Sequence, residues 1–197
     1  MKKMSTLQII NVLALIVTLV MNGLSQTDIF PNTVGDLGES REIFFLPAGY
    51  VFAIWGVIYT GLIAYSIYQV RPSERDSEVV NSIGWWFVVS CIANVAWLAL
   101  FLFDLVWLST VAMIAILIPL LVIYTRLGIG IKSVSLAEKW AVHIPFSIYL
   151  GWVSVATVAN FSTALYTSGY VTSFAGINAD IWASIMLVVA TVLALSM

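Results

Sequence analysis

Six long apolar runs, almost free of charge, constrain this chain more than any other feature. They extend from about Leu7 to Leu24, Pro47 to Val70, Ser82 to Phe103, Leu105 to Leu127, Trp140 to Leu165, and from near Asp180 to Met197. A helix needs ~20 mostly apolar residues to cross a ~30 Å hydrocarbon core. Runs such as Val111–Tyr124 do not alternate polar and apolar residues as barrel strands do, so only a helix can satisfy their backbone in lipid. The composition agrees: 9% of residues are charged and 61% hydrophobic, too little polar surface to cover a water-soluble fold of this size. The expected fold class is therefore all-α, a polytopic membrane helix bundle. Lys2 and Lys3 ahead of the first run also fit a signal peptide, but no small-residue cleavage site follows, and an uncleaved helix is the preferred reading. The sixth run would rise only ~25 Å, and is read as a transmembrane helix cut short where the sequence stops.

Basic residues orient the bundle. Lys2, Lys3, Arg71, Arg75, Arg126, Lys132 and Lys139 fall on one side and Arg41 alone on the other. The positive-inside bias then places the N-terminus in the cytoplasm, in a plasma or inner membrane. The longest connection, Ser25 to Leu46, lies outside and has the length of a functional lid. The turn after Phe103 is short enough to make an antiparallel hairpin of the third and fourth helices, with Asp104 expected to cap the fourth.

Several chemistries find no support. Every Asp and Glu sits in a loop or at a helix end, which argues against an ion or proton pathway. Cys91 and His143 are the sole residues of their types. No CxxC spacing, multi-histidine metal site, phosphate loop or nucleophile–base pair can be built. No metal and no cofactor are implied, and catalysis is the less favoured reading. The net charge of −2 gives no reason to expect nucleic acid.

Aromatic and amide side chains remain. Trp85, Trp86, Trp107, Trp140 and Trp182 lie near helix ends, where aromatic belts form. Trp55, Trp97 and Trp152 lie deeper. Trp55 and Tyr59 are four apart, Asn94 and Trp97 three, Trp152 and Asn160 eight, so each pair shares a helix face. Asn94 and Asn160 read either as hydrogen-bonding glue between helices or as polar points in an aromatic pocket suited to a flat apolar ligand. His143 reads as an interfacial hydrogen-bonding residue rather than an axial ligand. Pro119 and Pro145 are expected to kink their helices.

Three stretches resemble the TspO/MBR family, the tryptophan-rich sensory and translocator proteins. Leu46–Tyr59, with Phe52, Trp55 and Tyr59, is similar to the start of that family's second helix. Asn94–Phe101, with Trp97, is similar to its third-helix motif, and Pro145 with Trp152, Ala156 and Asn160 to its fifth. Tyr50 stands where the family has tryptophan, Ala53 and Ala99 where it has proline, and Trp55 comes one residue early, so the chain reads as a divergent branch. The resemblance implies a five-helix core over residues 1–165; the family normally ends there with a basic tail, whereas this chain continues through a polar loop into the sixth apolar run over 166–197. It implies a cavity beneath the first loop for a hydrophobic small molecule, porphyrin-like or sterol-like, within membrane lipid, and it is compatible with a homodimer. Trp55 and Trp152 would face the ligand, and Tyr59, Asn94, Trp97, Ala156 and Asn160 would complete the site. A carrier of a small apolar or zwitterionic solute and a porphyrin-modifying enzyme are the alternatives.

Overall fold

Helix α1 (Thr6–Leu24) starts at a capping box: Ser5 Oγ accepts from the Gln8 backbone N–H and Gln8 Oε1 accepts from that of Ser5. Two orphan amides are satisfied reciprocally before the apolar run begins. The structure, a computed structural model, describes residues 4–34, 37, 49–74 and 77–169, and beyond these 173–174, 177–178, 181, 184–185 and 188. After a 3₁₀ turn (Gly49–Ala53) come α2 (Ile54–Gln69), a short α3 (Glu78–Ile83), α4 (Trp86–Leu102), α5 (Val106–Leu127) and α6 (Leu136–Thr167). Two residue pairs, β1 (Ser173–Phe174) and β2 (Ile177–Asn178), form a minimal antiparallel ladder.

The chain is a helical membrane bundle. Four described helices are long and apolar enough to cross a bilayer; α4, equally apolar, is shorter at 17 residues. Packing closes a ring in the order α1–α2–α6–α5–α4 and back to α1. The buried core lies inside that ring, around Tyr65, Phe87, Phe146, Met113 and Ile116. Outside it, Leu13, Val17, Ile92, Val111 and Ile118 are exposed, as expected of surfaces solvated by lipid rather than water.

The expected third span is divided. Gly84, with φ 50° and ψ −136°, ends α3 and lets the chain restart as α4. Only glycine adopts such a backbone cheaply. The turn after α4 also differs from expectation. Asp104 takes φ 60°, and Leu105, which makes no side-chain cap, is the N-cap of α5. A side chain in the left-handed region reverses the chain here, whereas a cap needs an extended backbone. Pro119 sits buried inside α5 without ending it. Ahead of Pro145, α6 widens into a π turn over Lys139–His143, where the Ile144 N–H reaches back to Lys139 O. Such a register shift absorbs the donor and the space that proline denies an ordinary helix.

Residues 35–36 and 38–46 of the expected lid lie outside the described residues. Its described part is stitched to the α4–α5 turn. Asn32 donates to Leu102 O at 3.0 Å and the Phe30 ring meets Phe103 edge-on at 6.0 Å. Of the expected sixth helix, only Ile181, Ser184, Ile185 and Val188 are described, each helical and exposed; the rest of it, Trp182 included, lies outside the described residues.

Candidate functional site

Where α1 ends and α2 begins, the ring of helices encloses aromatic side chains instead of aliphatic ones. Trp55 is their hub. It stacks on Tyr59 (centroids 5.4 Å apart) and on Trp97 (5.9 Å), and meets Tyr149 and Trp152 edge-on at 6.0 and 6.3 Å. Trp97 stacks in turn on Phe101, and Phe52 meets Trp152 edge-on at 6.1 Å. Aromatic pairs in these geometries contribute ~0.5–1.5 kcal/mol each beyond the area they bury, so the cluster is a stiff wall.

Two cavities share that wall. The larger, about 450 Å³, lies against Trp55, Tyr59 and Trp97 and has a polar margin of Asn22, Ser25 and Gln26. The smaller, about 40 Å³, lies against Trp97, Phe101, Trp152, Ala156 and Asn160. Phe52 and Val34 border both. The larger is within the ~300–1,000 Å³ range of small-molecule sites.

Six of the seven expected site residues therefore border these cavities: Trp55, Tyr59, Trp97, Trp152, Ala156 and Asn160. Asn94 does not. It is fully buried; its Oδ1 accepts from Asn22 Nδ2 (3.1 Å) and its Nδ2 donates to the Tyr149 hydroxyl (3.3 Å), tying α1, α4 and α6 together. Asn160 combines both readings. Its Oδ1 accepts from Trp97 Nε1 at 3.0 Å, its Nδ2 donates to Thr110 Oγ1 at 2.7 Å and Ser109 Oγ at 3.0 Å, and its flank borders the smaller cavity. By holding the indole N–H, Asn160 fixes which face Trp97 turns to the cavity.

Among the described residues, the buried Tyr59 hydroxyl at the larger cavity and Trp152 Nε1 at the smaller find no acceptor. A buried donor without an acceptor costs ~1–3 kcal/mol. Both stand where an occupant could supply what is missing. Among the described residues no three of His, Cys, Asp or Glu gather as metal ligands.

Comparison with known families decides the kinship. The profile of a family described as TSPO-like protein matches residues 8–197. The chain belongs to the TSPO-like family. No match was found among curated proteins or among solved structures. The matched stretch takes in every helix of the TSPO-like bundle and continues beyond Leu165 to the last residue.

The residues that the sequence reading missed follow a rule. Asn22, Tyr149, Val34 and Met113 also shape the site or its support. Asn22 carried a signal: Gln8, Asn11, Leu15, Thr18 and Asn22 recur at spacings of three and four, one helix face. That face turns inward. Gln8 donates to Gln69 O, Asn11 to Gln69 Oε1 at 3.0 Å, and Thr18 Oγ1 lies 3.4 Å from Cys91 O.

Proposed function

We propose that this TSPO-like protein binds a flat hydrophobic molecule, tetrapyrrole-like or sterol-like, against the Trp55 wall. The observation that carries the reading is a pair of cavities sharing a wall of stacked aromatics, with the buried Tyr59 hydroxyl at the larger and buried Trp152 Nε1 at the smaller, neither finding an acceptor among the described residues. Ring faces supply area for a planar ligand. The two donors supply orientation, because a ligand with an acceptor at its edge relieves a cost already present in the empty site. The polar margin of Asn22, Ser25 and Gln26 favours a ligand whose other edge is polar. Asn94 acts one layer back, holding the helices together, while Asn160 borders the smaller cavity and holds Trp97 in place.

The loop from Ser25 to Leu46 serves as a lid over this site, hinged on the Asn32 and Phe30 contacts. The basic end of the bundle faces the cytoplasm, so the cavity opens toward the outer side. Residues 166–197 are an addition to a binding unit complete within 1–165. The test is quenching of tryptophan fluorescence by protoporphyrin IX, beside the Trp152→Ala variant. Saturable quenching that weakens in a folded variant supports the site. Non-saturating quenching, identical in both proteins, removes the tetrapyrrole assignment.

The carrier alternative rests on the same polar margin, which also suits a small zwitterion. It predicts exchange of solute across proteoliposomes, where a binding protein gives stoichiometric uptake only.

A further inference from the structure

A third cavity, of about 560 Å³, lies at the opposite end of the bundle, between the α5–α6 loop and the first turns of α6. Its chemistry is graded. Lys132 and Lys139 stand on it together with His143 and Ser147, while Ile144 and Ile148 continue it along α6 into the apolar span. Among the described residues neither ammonium is held by a close ion pair. Lys132 approaches Glu78 Oε1 at 3.9 Å, a pair whose side chains are 54% and 88% exposed, and such a pair holds weakly. Lys139 makes no ion pair with a described residue.

Three further observations indicate a built site. Gly128, at φ +63°, leaves room for the stem of Lys132; a Cβ there would stand 3.0 Å from Lys132 Cγ. His143 is only 6% exposed, yet its Nε2 finds no hydrogen-bond partner among the described residues and lies 3.5 Å from Glu138 Oε1. The π turn that carries Lys139 and His143 is the irregular backbone that recurs at functional sites.

The rim decides what kind of ligand fits. Ile131 on the loop, and Leu136 and Trp140 on the first turns of α6, are 89%, 76% and 68% exposed. Bulky apolar side chains interleaved with lysines place a segment in the headgroup layer of a bilayer, where the lysine stems lie along apolar surface and the ammoniums reach phosphate. We propose that this pocket holds the headgroup of an anionic phospholipid. Its phosphodiester sits between Lys132 and Lys139, its glycerol region meets Ser147 and His143 Nε2, and an acyl chain runs along Ile144 and Ile148. Glu78 beside Lys132 and Glu138 beside His143 disfavour ligands of higher charge, so a monoanionic headgroup is the fit.

The test uses the full chain in a mild detergent, with bound lipid counted by native mass spectrometry. It is titrated with dioleoyl-phosphatidylglycerol, dioleoyl-phosphatidylcholine and soluble glycerol 1-phosphate. Phosphatidylglycerol should be retained as one tight equivalent and the other two should not. Lys132→Gln with Lys139→Gln should weaken its retention about 30-fold. Arg71→Gln with Arg126→Gln removes equal charge from the same end outside the pocket and should leave retention unchanged. Replacing both lysines by arginine keeps the charge and should keep binding, which separates loss of the site from loss of the fold. Equal losses in the two glutamine pairs, or equal retention of the two lipids, would overturn the proposal. Binding of glycerol 1-phosphate as tight as that of phosphatidylglycerol would also overturn it, by making this a site for soluble phosphate esters.

Discussion

Trp152 and Asn160 lie two turns apart on one helix and have opposite hydrogen-bonding states. Asn160 uses both ends of its amide, whereas Trp152 Nε1 uses none. Opposite consequences follow from altering them. Asn160→Ala deprives Trp97 Nε1 of its acceptor and should cost about 1–2 kcal/mol, read as a lower unfolding temperature with or without ligand. Trp152→Phe keeps a ring in the wall and removes an unpaired donor. Its apo stability should stay within about 1 kcal/mol of the parent, since relief of the orphan donor offsets the smaller ring. Its affinity for a ligand that accepts from the indole should drop by about 1–2 kcal/mol, or roughly 5- to 30-fold. A titration and a melting curve on each variant separate the two roles; an unchanged affinity in Trp152→Phe would mean that the indole N–H does not orient the ligand. At this scale the sequence was informative about direction and silent about distance. Spacing put Asn94 and Trp97 on one face, yet three residues on a helix still subtend an angle wide enough for Trp97 to reach the cavity while Asn94 points between α1 and α6.

The helices themselves were legible because lipid leaves no alternative to an internally bonded backbone. The described spans begin and end within a few residues of the apolar runs, except where local backbone rules override hydropathy, as at Gly84 and in the π turn before Pro145. Hydropathy averages over such positions and cannot register them. Close approach between helices is equally invisible in one sequence. Gly61 on α2 faces Pro145 on α6, where a new Cβ would lie 2.8 Å from Pro145 Cβ and 3.3 Å from its Cα. Neither the proline ring nor its backbone can give way cheaply, so Gly61→Ala should push α2 from α6 and cost ~1–3 kcal/mol. Gly23→Ala, in α1 with nothing within 4 Å, should be neutral or gain up to ~1 kcal/mol from helix propensity. Thermal unfolding of the two variants side by side makes the comparison, and equal melting temperatures would show that the α2–α6 contact is looser than its geometry.

For the whole molecule, sidedness links the two ends. The aromatic cavity and the lysine pocket lie at opposite faces of one bundle, so the side that holds one fixes the side that holds the other. The described basic residues Arg71, Arg126, Lys132 and Lys139 stand at the end bearing the lysine pocket, and the positive-inside bias predicts that end in the cytoplasm. In that predicted orientation the lysine pocket would face the leaflet richest in anionic lipid and the aromatic cavity would open outward. A labelling experiment reads it directly. Cys91, the sole cysteine, is buried at 3% exposure, so it stays unlabelled and need not be removed. Ser73→Cys, in the exposed α2–α3 turn, should react with a membrane-impermeant maleimide only after the membrane is opened. Thr27→Cys, exposed after α1, should react in intact cells. The reverse pattern would turn the aromatic cavity to the cytoplasm and the lysine pocket to the outer leaflet. Binding at each site could survive that result, but ligand entry from outside and access to the anionic leaflet could not.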